Sequence, residues 1–225
     1  VEYRHELKFL VPDITLEKIK YRLSPFMETD EHHDSEYYTI RSLYFDDYFD
    51  KCLNENRAGT DNRFKYRIRY YLDNPEYINL EKKYKLRGMT KKDSETITAS
   101  QVNGFLQETA DVTDGKLATE LFAANLKSGM QPKCIVEYDR CAFVEPAGNV
   151  RITFDKNLRG STEVERFFDT SEEFPIPVME PGWHILEVKY DEFLPRHLLQ
   201  LVDINNLHRQ SFSKYAMVRE ELKIR

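Results

Sequence analysis

Arg63-Phe64-Lys65-Tyr66-Arg67-Ile68-Arg69 alternates cations with apolar side chains without a break. An extended chain with this pattern carries its positive charges on one face and Phe64, Tyr66 and Ile68 on the other. It reads as a strand with one wet, cationic side. Three more stretches share the pattern: Arg4, Glu6 and Lys8 alternate with His5, Leu7 and Phe9; Glu81, Lys83 and Lys85 with Leu80, Lys82 and Tyr84; Glu187 and Lys189 with Leu186, Val188 and Tyr190. An ordinary sheet buries its apolar face and leaves charge scattered. A sheet of these strands closed on itself would instead point Arg, Lys and Glu into a hydrated lumen and use its outer apolar face as core. Such a lumen suits polyanions and metal ions.

The overall composition makes this concentration of cations more telling. The chain has 225 residues, 40% of them hydrophobic, with 14 Tyr and 14 Phe, enough to bury a core rather than stay disordered. Its net charge of −6 and pI near 5.6 argue against a general nucleic-acid or membrane-surface binder, because nonspecific affinity for phosphate backbones needs a positive field. Any anion site must therefore be local. Cys52, Cys134 and Cys141 show no CxxC spacing and leave an odd thiol over. Neither a zinc site nor a disulfide framework is expected, and a reducing, cytoplasmic setting fits best. No apolar run approaches the roughly 20 residues of a membrane span, and no signal peptide opens the chain. Because it begins at Val1 rather than Met, a trimmed N-terminus is expected, and a membrane anchor in flanking segments stays open.

Local patterns order the elements. Leu16, Ile19 and Leu23 recur at helical spacing over 15–24. Aromatic and β-branched residues predict a strand over 38–46, a short helix follows at 47–55, and strands at 77–87 and 90–98 flank the turn Arg87-Gly88-Met89. Helices are expected at 100–109 and 116–127, strands at 133–144, 150–157 and 184–190, and helices over 195–205 and from Ser213 onward. Residues 163–181, rich in acids and proline, read as a long surface excursion and the best candidate for disorder. The order predicts a single antiparallel α+β domain over 1–225, not βαβ units.

Within this frame, like charges along one strand face repel and usually alternate in sign when merely exposed. Arg67 and Arg69 are therefore read as anion ligands, since guanidinium forks grip phosphate oxygens and stay charged. Glu6 with Lys8 and Glu187 with Lys189 each place a carboxylate among cations. Oxygen ligands of this kind suit Mg²⁺ or Mn²⁺ with substrate phosphates completing the shell, and Glu187 is the first metal ligand. A structural salt bridge is the rival reading. Arg151, Thr153 and Asp155, with Tyr138 and Arg140 on the preceding strand, repeat the pattern. Lys91 and Lys92 also read as a solvated edge that discourages sheet pairing. His32-His33, in an acidic loop, reads as surface. No GxGxxG, Walker loop, nucleophile elbow or HExxH is present.

Seven short motifs now stand in order: Arg4-His5-Glu6-Leu7-Lys8-Phe9, Ser42-Leu43-Tyr44-Phe45-Asp46, Arg67-Ile68-Arg69-Tyr70, Leu80-Glu81-Lys82-Lys83, Val150-Arg151-Ile152-Thr153, Leu186-Glu187-Val188-Lys189-Tyr190 and Phe212-Ser213-Lys214-Tyr215. Together they resemble the catalytic domain of the vacuolar transporter chaperone (VTC) family, the polyphosphate polymerases, within the CYTH-like triphosphate tunnel metalloenzymes. The resemblance implies an eight-stranded antiparallel β-tunnel with flanking helices. It implies that a bound divalent ion, Mn²⁺ or Mg²⁺, assists transfer of the ATP γ-phosphate to a polyphosphate or pyrophosphate acceptor. Carried over, Lys8, Arg67, Arg69, Lys83 and Lys214 would serve catalysis. Arg4, Lys65, Lys91, Arg140, Arg151, Lys189 and Ser213 would bind substrate, and Glu187 with Glu6 would bind metal. Ser211 stands where the family's active members carry a lysine, which would weaken phosphate binding or transition-state stabilisation. Two alternatives stay open: a tunnel triphosphatase and a noncatalytic polyphosphate-binding module.

Overall fold

In a computed structural model of the protein, which describes residues 3–29, 36–107, 114–171, 173–211 and 213–224, the alternating stretches are all strands. The strands are β1 (His5–Pro12), β2 (Glu28–Thr29), β3 (Tyr38–Asp46), β4 (Arg63–Tyr71), β5 (Asn74–Leu86), β6 (Met89–Ile97), β7 (Gln131–Glu145), β8 (Val150–Ser161), β9 (Ile176–Pro177) and β10 (Trp183–Tyr190). The helices are α1 (Asp13–Leu23), α2 (Lys51–Arg57), α3 (Ala99–Gln107), α4 (Lys116–Ser128), α5 (Arg196–Val202) and α6 (Lys214–Ile224). His32 and His33 lie outside the described residues.

Eight long strands form one antiparallel sheet in the order β1-β10-β8-β7-β3-β4-β5-β6, with β2 added to β7 and β9 to β8. The sheet curls until its two edge strands approach. Arg4 and Thr90 exchange backbone hydrogen bonds of 2.8 and 2.9 Å there, so residues just before β1 meet the start of β6. The result is the antiparallel tunnel with flanking helices that the alternation predicts.

Register fixes which side chains face inward, because residues directly opposite on neighbouring strands share a face. Lys8 lies opposite Glu187, Thr153 opposite Glu187, Arg140 opposite Asp155, Ser42 opposite Arg69 and Lys65 opposite Lys83. All of these share the concave face. The convex face carries Tyr66, Ile68, Tyr70 and Leu80 in one core with residues of α3 and α4, and Phe9, Phe154, Leu186 and Val188 in a second with residues of α1 and α5.

The interior is not polar throughout, which corrects the simplest form of the expectation. Ile40, Val136, Leu158 and Ile185 face inward and form a third core with Tyr215, Ala216 and Val218 of α6. The C-terminal helix thus fills one part of the concavity with its apolar stripe. Gly160 permits this approach, since a Cβ there would collide with the Val218 side chain. Asp46 fixes the two helices together. Its carboxylate accepts hydrogen bonds from the Cys52 and Leu53 amides at 2.8 and 3.0 Å and from the Tyr215 hydroxyl at 2.7 Å. Asp47 accepts from the Phe49 and Lys51 amides, so residues 47–50 form a turn and the helix starts at Lys51, later than its sequence suggests.

Residues 163–181 are a second correction. Among the described residues of this segment, Phe167 and Phe174 are buried in the convex-face core, and buried Arg41 donates to the carbonyls of Phe167 and Asp169. Three aromatic groups at 167, 168 and 174 outweigh the acids and prolines that suggested disorder.

Candidate functional site

The concave face gathers four buried carboxylates among a larger set of cations. Glu187 accepts a hydrogen bond from Lys214 Nζ at 2.7 Å and lies 3.6, 3.5 and 3.8 Å from Lys8, Lys189 and Arg140. Glu6 accepts from Lys83 at 2.8 and 3.0 Å, with Lys8 and Lys189 at 3.7 and 3.6 Å. Asp155 takes a two-pronged contact from Arg140 at 2.6 and 2.7 Å and sits 2.6 Å from Lys214. Glu81 holds Arg67 at 2.5 Å and Lys92 at 2.8 Å. Arg69 donates to Ser42 and Tyr138, at 3.3 and 2.9 Å, and Arg151 to the Tyr38 hydroxyl at 3.1 Å.

Burial and crowding shift the protonation of these groups. Burial alone would raise Glu187, but Lys214, Lys8, Lys189 and Arg140 together outweigh it and hold the carboxyl well below its usual range. Glu6 and Glu81 behave alike, against burial, through Lys8 and Lys83 in one case and Arg67 and Arg69 in the other. The lysines divide. Burial is overcome by Asp155 and Glu187 at Lys214, which is raised. At Lys65 burial wins and pushes the ammonium down to about 8. Lys189 falls to about 7 for the same first reason, although Glu187 and Glu6 oppose it.

Tyr44 is a residue that sequence reasoning read only as strand. Its hydroxyl accepts from Arg67 at 3.0 Å, its ring stacks on Tyr215 at 5.4 Å, and Lys65 Nζ stands 5.2 Å from the ring centroid. Burial would raise its pKa, but Arg67, Lys65 and Arg69 pull it down to about 7. Lys65 in turn donates to Ser213 Oγ at 2.9 Å. A phenol near neutrality beside a softened ammonium is a competent proton acceptor.

The structure brings together most of the residues expected from sequence. Lys8, Lys65, Arg67, Arg69, Lys83, Arg140, Arg151, Lys189, Ser213, Lys214, Glu6 and Glu187 all occupy the concave face or the start of α6 beside it. Lys91 does not. It lies opposite Tyr84, on the convex face, and pairs with Asp93 at 3.3 Å, whereas Lys92 lies opposite Lys83 and faces inward. Arg4 sits at the rim, held by Asp191 at 2.7 Å and by the Asn149 carbonyl. Asp155, Glu81 and Tyr138 stood in the alternating pattern of the sequence without a role at the site, and the structure gives them one. All three were visible in the alternation, Tyr138 because it shares a strand face with Arg140, whereas nothing local separates lumen from core for Tyr44.

A curled antiparallel sheet whose concave wall is cationic, with acids held among the cations, defines a tunnel-fold protein built for polyanions. The family model of the VTC domain matches residues 3–223, and the chain belongs to that family. No curated protein matches the chain in sequence. Among solved structures it is similar to a candidate adenylate cyclase (bh2851) from Bacillus halodurans, at TM-score 0.52 and 15% identity over 90% of this chain and 91% of that one. It is also similar to the PH1012 protein from Pyrococcus horikoshii OT3, at TM-score 0.50 and 12% identity over 96% and 99%. These likenesses show the fold. Family and fold together point to an activity on polyphosphate or triphosphate, of the phosphotransferase or triphosphatase kind. Among the described residues no helix is long and apolar enough to cross a membrane.

Proposed function

We propose that the protein is a polyphosphate polymerase that transfers the γ-phosphoryl group of ATP to the end of a polyphosphate or pyrophosphate chain inside the tunnel. The observation that carries this reading is the pair of facing cationic walls: Arg67, Arg69 and Lys83 on β4 and β5, and Lys8, Arg140, Lys189 and Lys214 on β1, β7, β10 and α6. Two anionic chains meeting end to end repel strongly in a low-dielectric space, and fixed cations on both sides offset that repulsion. In the transfer, an oxygen of the acceptor's terminal phosphate forms the new bond to γ-phosphorus as the bond to the β-bridging oxygen breaks and ADP leaves. The acceptor oxygen is already an anion, so no protein base is required, and in-line positioning supplies most of the rate.

Glu187 and Glu6 fit a hard divalent cation, Mn²⁺ or Mg²⁺, by donor type, and both approach the same lysines, Lys8 and Lys189. Among the described residues no three His, Cys, Asp or Glu side chains converge to hold an ion, so substrate phosphates would complete its shell. When bound, the ion would add charge stabilisation on the transferred group.

A second reading, hydrolysis of a triphosphate, is favoured by Tyr44. Water, unlike a phosphate oxygen, must lose a proton as it attacks, and Tyr44 beside Lys65 can take it. Incubation with ATP, Mn²⁺ and a pyrophosphate primer, resolving polyphosphate, ADP and free phosphate together, separates the readings. Long chains with matching ADP support the polymerase; free phosphate alone assigns the hydrolase.

A further inference from the structure

Ser42 and Tyr138 accept hydrogen bonds from Arg69, Tyr44 from Arg67, Tyr38 from Arg151 and Ser213 from Lys65. Thr153 breaks this pattern of hydroxyls matched to cations. It is 1% exposed, and among the described residues its Oγ1 has no hydrogen-bond partner. Register turns it inward, opposite Glu187 on β10 and Ala142 on β7. A hydroxyl buried without a partner destabilises the fold, so such a group calls for an occupant.

The surroundings of Thr153 define that occupant. Both neighbouring carboxylates are already engaged, Glu187 by Lys214 and Asp155 by Arg140 and Lys214. The rung formed by Thr153 and Ala142 is small, and a guanidinium residue stands on each side of it. Arg140, opposite Asp155, is two residues from Ala142, and Arg151, opposite Val144, is two residues from Thr153. Each step is about 7 Å along a strand. Lys189 lies opposite Arg151 and adds a third cation. A bare metal ion at the hydroxyl would face all three charges, and Glu6, the second residue proposed for the ion, is on β1, across β10 from Thr153. The missing partner is therefore an acceptor that also carries negative charge.

We propose that Thr153 is a substrate-binding residue whose hydroxyl donates to a nonbridging oxygen of a phosphate group seated between Arg140 and Arg151. The inference rests on the tunnel reading above and adds to its cations a neutral donor. A charge attracts phosphate from any direction, whereas a hydroxyl bond is directional and fixes one oxygen. Thr153 thereby sets the rotation of the group and not only its capture. The unfavourable burial of the hydroxyl is relieved when substrate arrives, which favours the bound state over the empty one.

The test is Thr153→Val, which keeps the branched shape and removes the hydroxyl, with Thr153→Ser as the variant that keeps it. Two quantities are read on each protein: the thermal unfolding temperature without ligand, and the affinity for tripolyphosphate by calorimetric titration without divalent metal. In Thr153→Val the unfolding temperature should stay level or rise, because no bond within the protein is lost, while affinity falls roughly tenfold, as for a hydrogen bond to a charged acceptor. Thr153→Ser should keep the parent's affinity. A Thr153→Val protein that unfolds at a lower temperature than its parent would mean that the hydroxyl already has a structural partner, a protein group or a fixed water, and would overturn the proposal. Unchanged tripolyphosphate affinity would overturn it as well. So would a loss that emerges only when Mn²⁺ is added, since the hydroxyl would then be a ligand of the ion. Failure of the tunnel reading itself looks different, because the unsubstituted protein would then not bind tripolyphosphate.

Discussion

Lys214, the first residue of α6, donates to Glu187 on β10 at 2.7 Å while standing 2.6 Å from Asp155 on β8. One ammonium therefore compensates two buried carboxylates and ties the helix that fills the lumen to the wall that carries the proposed chemistry. Removing one partner of a buried ion pair leaves the other charged and unsolvated, at a cost of about 3–5 kcal/mol. Lys214→Met should lower unfolding stability by about 3 kcal/mol in urea titrations, and adding Glu187→Gln should recover part of that loss. A Lys214→Met protein as stable as its parent would show that α6 is held by its apolar stripe alone.

Glu187→Gln removes the proposed metal ligand while keeping the shape of the site. Turnover should fall to background, and affinity for tripolyphosphate without metal should hold or rise, because Lys214, Lys8 and Lys189 lose an internal competitor. A chelator should silence the parent enzyme in the same assay and added Mn²⁺ restore it. Unchanged turnover in the variant would make Glu187 a structural salt bridge only.

The sequence was most legible where the chain alternates strictly. From Arg63 to Arg69 and from Arg4 to Lys8, period two alone decides which side chains face the lumen. It fails at Lys91-Lys92, where consecutive cations fit either face and only the pairing of Lys92 with Lys83 chooses. Tyr44 was opaque for another reason. Its neighbour Phe45 packs in the convex-face core, and nothing local says that the ring beside it meets Arg67 instead. The filling of the lumen by α6 depends on Gly160 and Val218, which are 58 residues apart in sequence, and no local pattern encodes such a contact. Residues 163–181 misled because composition was weighed above three aromatic anchors.

Gly160 gives that long-range contact its own test. Gly160→Val would force its side chain into the space of Val218, displace α6, and carry Lys214 and Ser213 away from Glu187 and Lys65. Turnover should fall several-fold along with a loss of about 1–3 kcal/mol in stability, the usual cost of overpacking. Loss of stability with full turnover would separate the position of α6 from the chemistry.

Arg67→Ala should weaken triphosphate binding by about 1.5–3 kcal/mol, the range for charge-assisted hydrogen bonds. Glu81 would still be held by Lys92 at 2.8 Å, so the fold should survive and calorimetric titration should report the contact itself. Binding equal to the parent's would put the inner row of β4 outside the site.

The two reactions proposed for the tunnel should separate in their pH dependence. Tyr44, held down to about 7 by Arg67, Lys65 and Arg69 against burial, is protonated below that pH and a phenolate above it. If it takes the proton of attacking water, the release of free phosphate should rise with pH through about 7, and Tyr44→Phe should abolish that rise. Chain extension needs no such base, so polyphosphate synthesis by Tyr44→Phe should keep most of its rate and lose only the contribution of the hydroxyl to placing Arg67. Stability follows the same sign. The depressed pKa means that the folded state binds fewer protons than the unfolded chain between about 7 and the ordinary tyrosine value near 10, so Tyr44 makes folding more favourable as pH climbs through that window and loses this contribution as pH falls to 7. Lys65, pushed down to about 8 by burial, works in the same direction from 8 upward. Bound polyphosphate should draw Lys65 back to its charged form, so binding near pH 8 should take up protons, seen as a calorimetric heat that changes with the ionisation enthalpy of the buffer. Proton-neutral binding at that pH would remove Lys65 from the anion path.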